Sequence, residues 1–385
     1  MRGLYGLTAP TGNAVLTSLV PALAAALDGA GPALLPLPTG GTRDAVLNAF
    51  DLTQPLERDD VALVVPTSGS AGDPKGVMLT AAALRFSAQA THARLGGPGQ
   101  WLLALPVTHV AGLTVLVRSL EARTRPEVLD LYGGFDVAAF VAATARLQPG
   151  VRHYTSLVPT QLRRLLGAGA DLSTYDAVLV GGAALSPDLH DLARDKGVPA
   201  VTTYGMTETC GGCVYDGTSL DGVDLSIGAD GRVVIGGPVV FAGYRLRPDL
   251  SAEAIVDGRH VTQDLGSWSA DGRLEVLGRA DDVILSGGVS VPAAMVERVL
   301  TGHPDVAVCA VVALADPEWG ERVVAVVQPT VADRAPTLAD LRDFAADRLD
   351  AAALPREVVV LGLLPVLASG KPDKAAVRSL VAART

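Results

Sequence analysis

Cysteine is scarce in this chain of 385 residues, which has three, at Cys210, Cys213 and Cys309. An odd number of so few cysteines argues against a disulfide framework. Cys210 and Cys213 form a CxxC pair, but the sequence has no second CxxC and no cluster of histidines to complete the four ligands of a zinc site. We therefore interpret the pair as part of a glycine-rich turn, not as a redox or metal centre.

Excess positive charge and long apolar runs are also lacking. The net charge is −10, which excludes a general nucleic-acid binder, since such proteins hold phosphates through clustered Lys and Arg. No uncharged apolar stretch reaches about 18 residues, and the first residues lack the basic-then-apolar pattern of a signal peptide. We expect a cytoplasmic protein without stable membrane insertion. The sequence leaves a homodimer open as an alternative to a monomer.

Short apolar runs alternate with helical patterns over the first 280 residues, which predicts an α/β architecture. Buried strands are predicted at Val61–Val65, Trp101–Pro106, Ala177–Val180 and Val198–Thr203. Helices are predicted at Leu79–Ala93, Val137–Arg146, Pro159–Ala168 and Pro187–Lys196. Because open α/β sheets bind ligands beyond the carboxyl ends of their strands, the segments that follow these strands are the candidate site.

The pattern changes twice toward the C-terminus. A shorter-period β region runs from Gly228 to Leu277 and is followed by helix, strand, strand and helix. The cores of these four elements are predicted at Met295–Leu300, Val306–Val312, Val323–Gln328 and Leu338–Leu349. We predict a large N-terminal α/β domain over residues 1–280, with a β-rich subdomain, and a small α+β C-terminal domain over residues 281–385.

The segment Thr67–Gly76, TSGSAGDPKG, combines hydroxyl groups, glycines and one lysine directly after a predicted strand. Glycines let backbone N–H groups turn toward an anion, and hydroxyl and ammonium groups add donors and charge. The spacing does not fit a Walker loop, because Gly76 follows Lys75 where that motif requires Ser or Thr. A polar surface turn between a strand and a helix is the alternative. The candidate phosphate-binding residues are Thr67, Ser68, Gly69, Ser70, Gly72 and Lys75.

This segment resembles the phosphate loop of the adenylate-forming acyl-CoA ligase superfamily, [ST]SG[ST]TGxPKG, with Ala71 in place of the usual Thr. Tyr204–Thr209, YGMTET, resembles the YGxTE motif of the same superfamily. The Tyr204 ring can stack on a base, Thr207 can donate to a phosphate, and Glu208 can hold Mg²⁺. In Val180–Leu185, glycines let the backbone lie flat against an adenine ring. Further candidate nucleotide-binding residues are Gly181, Gly182, Ala183, Tyr204, Gly205 and Met206.

Two charged residues complete the predicted nucleotide site. Asp264 and Arg279 resemble the ribose-binding Asp and Arg of the superfamily, because a carboxylate can accept from ribose hydroxyls and a guanidinium can donate to one of them. Gln263 departs from the usual Gly. Solvated surface groups are the alternative. The resemblance also implies a hinge at Asp281 and a pantetheine tunnel lined by Ser286, Gly287 and Gly288.

The segment Leu364–Lys374 resembles the C-terminal catalytic loop, P-x-T-x-x-G-K-x-x-[KR], with Leu367 in place of the usual Thr. Lys371 occupies the catalytic position. A compact ammonium there would offset the repulsion between an attacking carboxylate and the α-phosphate of ATP. Lys374 is interpreted as structural. His109, in LPVTHVAG, matches the superfamily histidine that lies between the acyl pocket and the phosphate. The alternative is a structural histidine whose ring is hydrogen-bonded within the protein.

The resemblance implies a two-step reaction with ATP, Mg²⁺ and coenzyme A. A substrate carboxylate attacks the α-phosphate to give an acyl-adenylate and pyrophosphate, and the thiol of CoA then displaces AMP. Lys371, His109, Thr207 and Glu208 are the expected catalytic residues, and Glu208 is the expected metal ligand. Since Lys371 serves only the first step, the small domain is expected to be mobile and to swing away for the second.

The acid is indicated by Tyr154–Arg164, which resembles the SLVPTQLxRLL segment of o-succinylbenzoate–CoA ligases of menaquinone biosynthesis. Sixty-six residues precede Thr67, as expected for the compact actinobacterial form of that enzyme. Its substrate is a dianion, so polar groups are needed for the second carboxylate, and Ser156 and Thr160 are the candidates. His109 and Gly205 are expected to line the same pocket. Arg152, Arg163 and Arg164 are additional sources of charge, although an exposed helix face is the favoured place for the last two. A ligase for another aryl or fatty acid and a non-catalytic nucleotide-binding relative remain alternatives.

Overall fold

A computed structural model describes residues 2–40, 42–68, 74–366 and 372–384. These residues form two compact units. Unit 1 comprises Met1–Leu185, Leu189–Ser226 and Val234–Thr262, and unit 2 comprises Ser186–Asp188, Ile227–Val233 and Gln263–Thr385. The domain boundary between residues 280 and 281 and the hinge at Asp281 stay predictions. Among the helices described, none is both long and apolar enough to cross a membrane.

Unit 1 begins with a four-stranded sheet. Its strands are β1 (Leu4–Thr8), β2 (Ala33–Leu37), β3 (Val61–Ser68) and β4 (Pro74–Thr80), in that order. The first three run parallel, and β4 returns antiparallel to β3. Helices α1 (Val20–Leu27) and α2 (Thr42–Phe50) lie in the connections. The apolar run Val61–Val65 is fully buried, as expected for a strand that is covered on both faces.

A seven-stranded sheet carries most of the candidate site. Its strands are β5 (Gln100–Leu103), β6 (Glu127–Val128), β7 (His153–Leu157), β8 (Ala177–Val180), β9 (Ala200–Met206), β10 (Gly211–Tyr215) and β11 (Thr218–Ser219). Their spatial order is β11-β10-β9-β8-β7-β5-β6. β5 to β9 are parallel, and β10 and β11 are antiparallel. The carboxyl ends of the five parallel strands therefore meet at one edge.

Helices follow the strands of this sheet. They are α3 (Ala81–Arg94), α4 (Val110–Glu121), α5 (Val137–Thr144), α6 (Pro159–Gly167) and α7 (Pro187–Asp195). Thr80 caps α3 by accepting from the Ala83 N–H at 3.0 Å, and Asp136 caps α5 by accepting from the Ala139 N–H at 2.7 Å. Such caps satisfy N–H groups that lack a partner within the helix.

The next segment contains α8 (Pro248–Ala254) and the strands β12 (Asp224–Ile227), β13 (Arg232–Gly236), β14 (Ile255–Val256), β15 (Arg259–Trp268) and β16 (Leu274–Arg279). Within unit 1, β14 pairs with the beginning of β15. Within unit 2, the rest of β15 pairs antiparallel with β16.

Unit 2 is built around a second mixed sheet. Its strands are β17 (Val283–Ser286), β18 (Val289–Pro292), β19 (Val306–Asp316), β20 (Gly320–Pro329) and β21 (Glu357–Val360). The order is β18-β17-β20-β19, and β21 lies parallel beside β20. Helices α9 (Ala293–Thr301) and α10 (Leu338–Ala345) contribute to the core on one face, and α11 (Lys374–Ala382) to the core on the other. The predicted α/β class with an α+β C-terminal part is confirmed.

Some predicted boundaries are wrong, for tertiary reasons. The helix predicted from Leu79 begins at Ala81, because Pro74–Thr80 pairs as a strand with β3. Tyr204 and Met206 were expected in a loop but belong to β9, because β10 turns back and pairs with them. The last predicted helix ends at Ala345 rather than at Leu349. Sequence analysis assigned no element to α4.

Candidate active site

The lysine-containing segment begins in β3 and ends in β4 of an antiparallel hairpin, so it does not lead from a strand into a helix. Thr67 lies opposite Lys75 in the ladder, and its hydroxyl donates to the Lys75 carbonyl at 3.4 Å. Gly69, Ser70, Ala71 and Gly72 lie outside the described residues, as does the side chain of Ser68. The structure thus fixes both ends of the predicted phosphate loop on two buried strands.

Gly205 occupies a position that only glycine can fill without displacement of the backbone. Its φ is +157°, and a Cβ placed there would lie 2.1 Å from the Gly211 carbonyl oxygen. Directly after it, Thr207–Thr209 forms a 3-10 turn, and the Thr209 hydroxyl accepts from the Met206 N–H at 2.9 Å. The close return of β10 therefore sets the direction in which Thr207 and Glu208 leave the sheet edge.

The second glycine segment follows β8 at the same edge. The Gly181 N–H donates to the Leu157 carbonyl at 3.1 Å, and a Cβ at Gly181 would lie 2.3 Å from the Thr203 hydroxyl oxygen. Gly182 has φ +79°, in the left-handed region that favours glycine. Gly182 and Ala183 are exposed. Gly181 thus passes close to Leu157 at the end of β7 and to Thr203 of β9, where a side chain would not fit.

Glu208 and Lys75 both contact one side chain that was not predicted from the sequence, Tyr244. The Tyr244 hydroxyl donates to Glu208 Oε1 at 2.8 Å. The Lys75 Nζ lies 5.5 Å from the centroid of the Tyr244 ring, within the range of a cation–π contact. One aromatic residue therefore touches both the predicted phosphate-binding cation and the predicted metal-binding carboxylate.

Glu208 suits a magnesium ion that arrives with a nucleotide. Mg²⁺ keeps several waters and is commonly bound by one or two carboxylates together with substrate phosphates, so a single carboxylate is sufficient. The described residues contain no group of three His, Cys, Asp or Glu that would form an all-protein metal site. A single carboxylate therefore suits a magnesium ion that is bound together with a nucleotide better than a metal ion held by protein ligands alone.

His109 immediately precedes α4 at the end of the connection from β5. His109 is exposed, yet the surrounding protein removes part of its hydration and lowers its pKa from the ordinary value. Ser156, one residue before the end of β7, is buried, and its hydroxyl has no hydrogen-bond partner among the described residues. Thr160 is exposed in the first turn of α6. A buried hydroxyl without a partner is costly, which makes Ser156 a candidate to contact a ligand.

The three arginines that lie near Ser156 and Thr160 in the sequence differ in their environment. Arg152 pairs with Asp176 at 3.1 Å, so its charge is already compensated. Arg163 and Arg164 are exposed on α6, as favoured from the sequence.

The thiols of Cys210 and Cys213 are buried, and burial raises the pKa of Cys213 to about 12. Thiols of this kind are unreactive, in agreement with a structural interpretation of the CxxC pair.

In unit 2, Asp264 and Arg279 lie opposite each other in the β15–β16 ladder, with Arg279 Nη1 3.8 Å from Asp264 Oδ1. Arg279 also donates to both oxygens of Asp281, at 2.8 and 3.0 Å, which lowers the pKa of Asp281. Asp281 belongs to the 3-10 turn Ala280–Asp282. The predicted ribose-binding pair and the predicted hinge residue are thus one connected group of charges.

The remaining predicted sites in unit 2 are only partly described. Gly287 and Gly288 form the two-residue turn between β17 and β18, both with positive φ, and the hydroxyl of Ser286 is buried without a partner among the described residues. Leu367 and Lys371 lie outside the described residues. Lys374, at the beginning of α11, forms ion pairs with Asp282 and with Glu297.

Comparisons with known proteins agree on one family. The family model described as AMP-binding enzyme matches residues 16–239, and that of the AMP-binding enzyme C-terminal domain matches residues 295–371. A probable 2-succinylbenzoate–CoA ligase of Mycobacterium tuberculosis is 48% identical over 383 residues, which cover 98% of this chain and 97% of the relative. A feruloyl-CoA synthase of an Amycolatopsis species is 32% identical over 373 residues, covering 90% and 74%.

Solved structures of o-succinylbenzoate CoA synthetase from Bacillus subtilis are similar in fold. The complex with the acyl-adenylate intermediate matches with a TM-score of 0.74 and 30% identity, covering 84% of this chain and 70% of that protein. The complex with ATP and a magnesium ion matches with a TM-score of 0.74 and 29% identity, covering 84% and 71%.

Proposed function

This chain belongs to the AMP-binding enzyme family, and from that premise we propose that it is an AMP-forming ligase that joins o-succinylbenzoate to coenzyme A. The observation that carries the proposal is the convergence of Lys75 and Glu208 on Tyr244 in unit 1. This convergence provides one cation for phosphate and one carboxylate for magnesium, two groups that recur in ATP sites.

ATP binds, in this proposal, along the carboxyl edge of the seven-stranded sheet. Lys75 and the hairpin connection hold the β- and γ-phosphates, while the backbone at Gly181 and Gly182 lies against the adenine. Thr207 donates to a phosphate oxygen. Asp264 and Arg279 hold the ribose hydroxyls. Glu208 would hold magnesium, which would supply positive charge to offset that of the phosphates.

The first step needs the acid carboxylate in line with the α-phosphate. Two anions must approach, and Lys371 would lower this barrier by placing a positive charge where negative charge develops. His109 remains neutral at neutral pH because its pKa is lowered. It therefore adds a polar but uncharged wall beside the reacting carboxylate and does not compete with Lys371 for it.

The second carboxylate of the acid is assigned to Ser156. Its buried hydroxyl lacks a partner among the described residues, and a carboxylate that accepts from it would remove the desolvation cost of that hydroxyl. Thr160, exposed on the next helix, is the second candidate. The similarity to M. tuberculosis and B. subtilis enzymes named for this acid supports the choice of substrate.

Pyrophosphate release with a panel of acids tests the substrate. We expect o-succinylbenzoate to be preferred over benzoate, hydroxybenzoates, ferulate and octanoate. Preference for ferulate would favour the second candidate, an aryl-CoA ligase like the Amycolatopsis relative. Equal rates with all acids would refute the assignment to menaquinone biosynthesis, and no release with any acid would favour a non-catalytic nucleotide-binding relative.

The division of labour between the two half-reactions can be tested at Lys371. Lys371→Ala should abolish acyl-adenylate formation but leave thioester formation from supplied acyl-adenylate largely intact, because the lysine acts only on the α-phosphate step. Lys196→Ala, at an exposed position after α7, is the matched control. Equal loss of both half-reactions would refute the role of Lys371 and, with it, the proposed swing of the small domain about Asp281. In the second step of the proposed reaction, the pantetheine of CoA passes Ser286, Gly287 and Gly288.

The location of the protein follows from the same proposal. ATP and CoA are cytoplasmic cosubstrates, so we place the reaction in the cytoplasm. A homodimer stays a prediction that light scattering tests.

A further inference from the structure

We propose that Tyr244 is a positioning residue that keeps Lys75 and Glu208 apart and directs each toward a different part of magnesium–ATP. The proposal rests on the function proposed above. It starts from two contacts of one side chain: the hydroxyl donates to Glu208 Oε1 at 2.8 Å, and the ring faces the Lys75 ammonium at 5.5 Å from Nζ to centroid.

Lys75 and Glu208 carry opposite charges and both contact Tyr244. Within the described part of the chain, however, neither Lys75 nor Glu208 forms an ion pair. A direct pair would cancel the charge that the phosphates need and would occupy the carboxylate that the metal needs. Tyr244 instead gives each charge a neutral partner, a π face for the cation and an O–H donor for the anion.

The backbone of Tyr244 is fixed against β4, the strand that carries Lys75. The Arg245 N–H donates to the Gly76 carbonyl at 2.8 Å, and the Met78 N–H donates to the Gly243 carbonyl at 3.0 Å. Tyr244 and Lys75 therefore belong to one backbone ladder. The backbone that carries Tyr244 is therefore paired with the strand that carries Lys75.

The neighbouring Arg245 anchors this part of the backbone. Its side chain is fully buried, donates to Glu57 at 2.9 Å, and donates to four backbone carbonyls. These carbonyls belong to Phe50, Asp51, Gln54 and Pro55. These bonds hold the backbone next to Tyr244, whose hydroxyl contacts Glu208.

The two functions of Tyr244 can be separated chemically. Tyr244→Phe keeps the ring next to Lys75 and removes only the donor to Glu208. Tyr244→Leu removes both. Tyr175→Phe is the matched control, because the Tyr175 hydroxyl is also buried and hydrogen-bonded, 2.7 Å from the Thr144 hydroxyl, but away from this site.

ATP binding measured by calorimetry, once with Mg²⁺ and once with EDTA, reads the two functions independently of turnover. Tyr244→Phe should weaken binding about tenfold with Mg²⁺, the usual effect of losing a hydrogen bond to a charged group, and leave binding in EDTA unchanged. Tyr244→Leu should weaken binding under both conditions. Tyr175→Phe should match the parent under both.

A further variant guards against an effect on folding. In a Glu208→Gln background, Tyr244→Phe should cause no additional loss of magnesium dependence, because the carboxylate on which it acts is gone. An unchanged Mg²⁺ dependence in Tyr244→Phe would overturn the proposal, as would an equal loss with Mg²⁺ and EDTA. If the parent protein binds no ATP under either condition, the proposed function fails together with this inference.

Discussion

Lys374 offers the most direct test of the energetics of unit 2. The side chain stands at the beginning of α11 and contacts Asp282 and Glu297, with 2.8 Å between Nζ and Glu297 Oε1. Glu297 also accepts from the Val311 N–H at 2.7 Å. One ammonium therefore joins three parts of the fold: the segment after Lys371, the turn that contains the predicted hinge, and α9.

The change Lys374→Met keeps the length and apolar stem of the side chain and removes the charge. Two carboxylates that are each about four-fifths buried, at 21% and 19% exposure, are then left close together without a cation. Removal of one partner of a buried ion pair costs about 3 to 5 kcal/mol. Because these groups retain some contact with water, we expect a loss near the lower limit, about 3 kcal/mol at pH 8.

The loss should depend on pH with a defined sign. Burial raises the pKa of Glu297 even though Lys374 lowers it by charge and hydrogen bonding. Without Lys374 that pKa rises further, so folded Glu297 binds a proton over a pH range in which unfolded Glu297 does not. A group with a raised folded pKa gains folding stability as pH falls, so the difference between variant and parent should shrink from pH 8 to pH 5.

Hydrogen exchange of the β19 and β20 amides, followed by mass spectrometry, measures this free energy within unit 2. Lys196→Met, an exposed lysine in unit 1, serves as control and should leave these amides unchanged. Lys374→Met combined with Glu297→Gln should recover part of the loss, because it removes the unpaired carboxylate. A loss below about 1 kcal/mol at pH 8, or one that does not vary with pH, would refute this account of the cluster.

Three further results are expected. Burial, with a contribution from the charge of Arg118, lowers the pKa of His92 to about 4. The free energy of unfolding should therefore fall by up to about 3 kcal/mol between pH 6.5 and pH 4. In urea unfolding, His92→Gln should lack this part of the stability loss at low pH. Gly205→Ala should destabilise unit 1 and abolish ATP binding, because its Cβ would meet the Gly211 oxygen at 2.1 Å; an unchanged melting temperature would contradict the geometry. Ser156→Ala should raise KM for o-succinylbenzoate about tenfold without changing KM for benzoate, and an equal change for both acids would exclude a contact with the second carboxylate.

Much of the fold was predictable from local pattern. The run Val61–Val65 is apolar at every position, which is typical of a strand covered on both faces. Strand and helix boundaries were less accurate where a partner strand decided them. Pro74–Thr80 became a strand because β3 lies beside it, and Tyr204–Met206 remained extended because β10 returns along it.

The candidate site shows the same division. Lys75, Glu208 and Asp264 were found from short motifs, because each motif is local in the chain. Tyr244 was not, since 36 residues separate it from Glu208 and no local pattern links the two. A lone tyrosine followed by an arginine carries no signal in sequence, although the fold gives both a defined contact.

The sequence by itself therefore determined the family, the order of the motifs and the chemistry that they supply, because glycine, hydroxyl, lysine and carboxylate groups act through their type and local spacing. The tertiary structure alone decided which of these groups meet. Parallel strands bring distant segments to one edge, and a backbone ladder places Tyr244 between Lys75 and Glu208. Such contacts depend on pairings between strands far apart in the chain, which local sequence patterns do not encode.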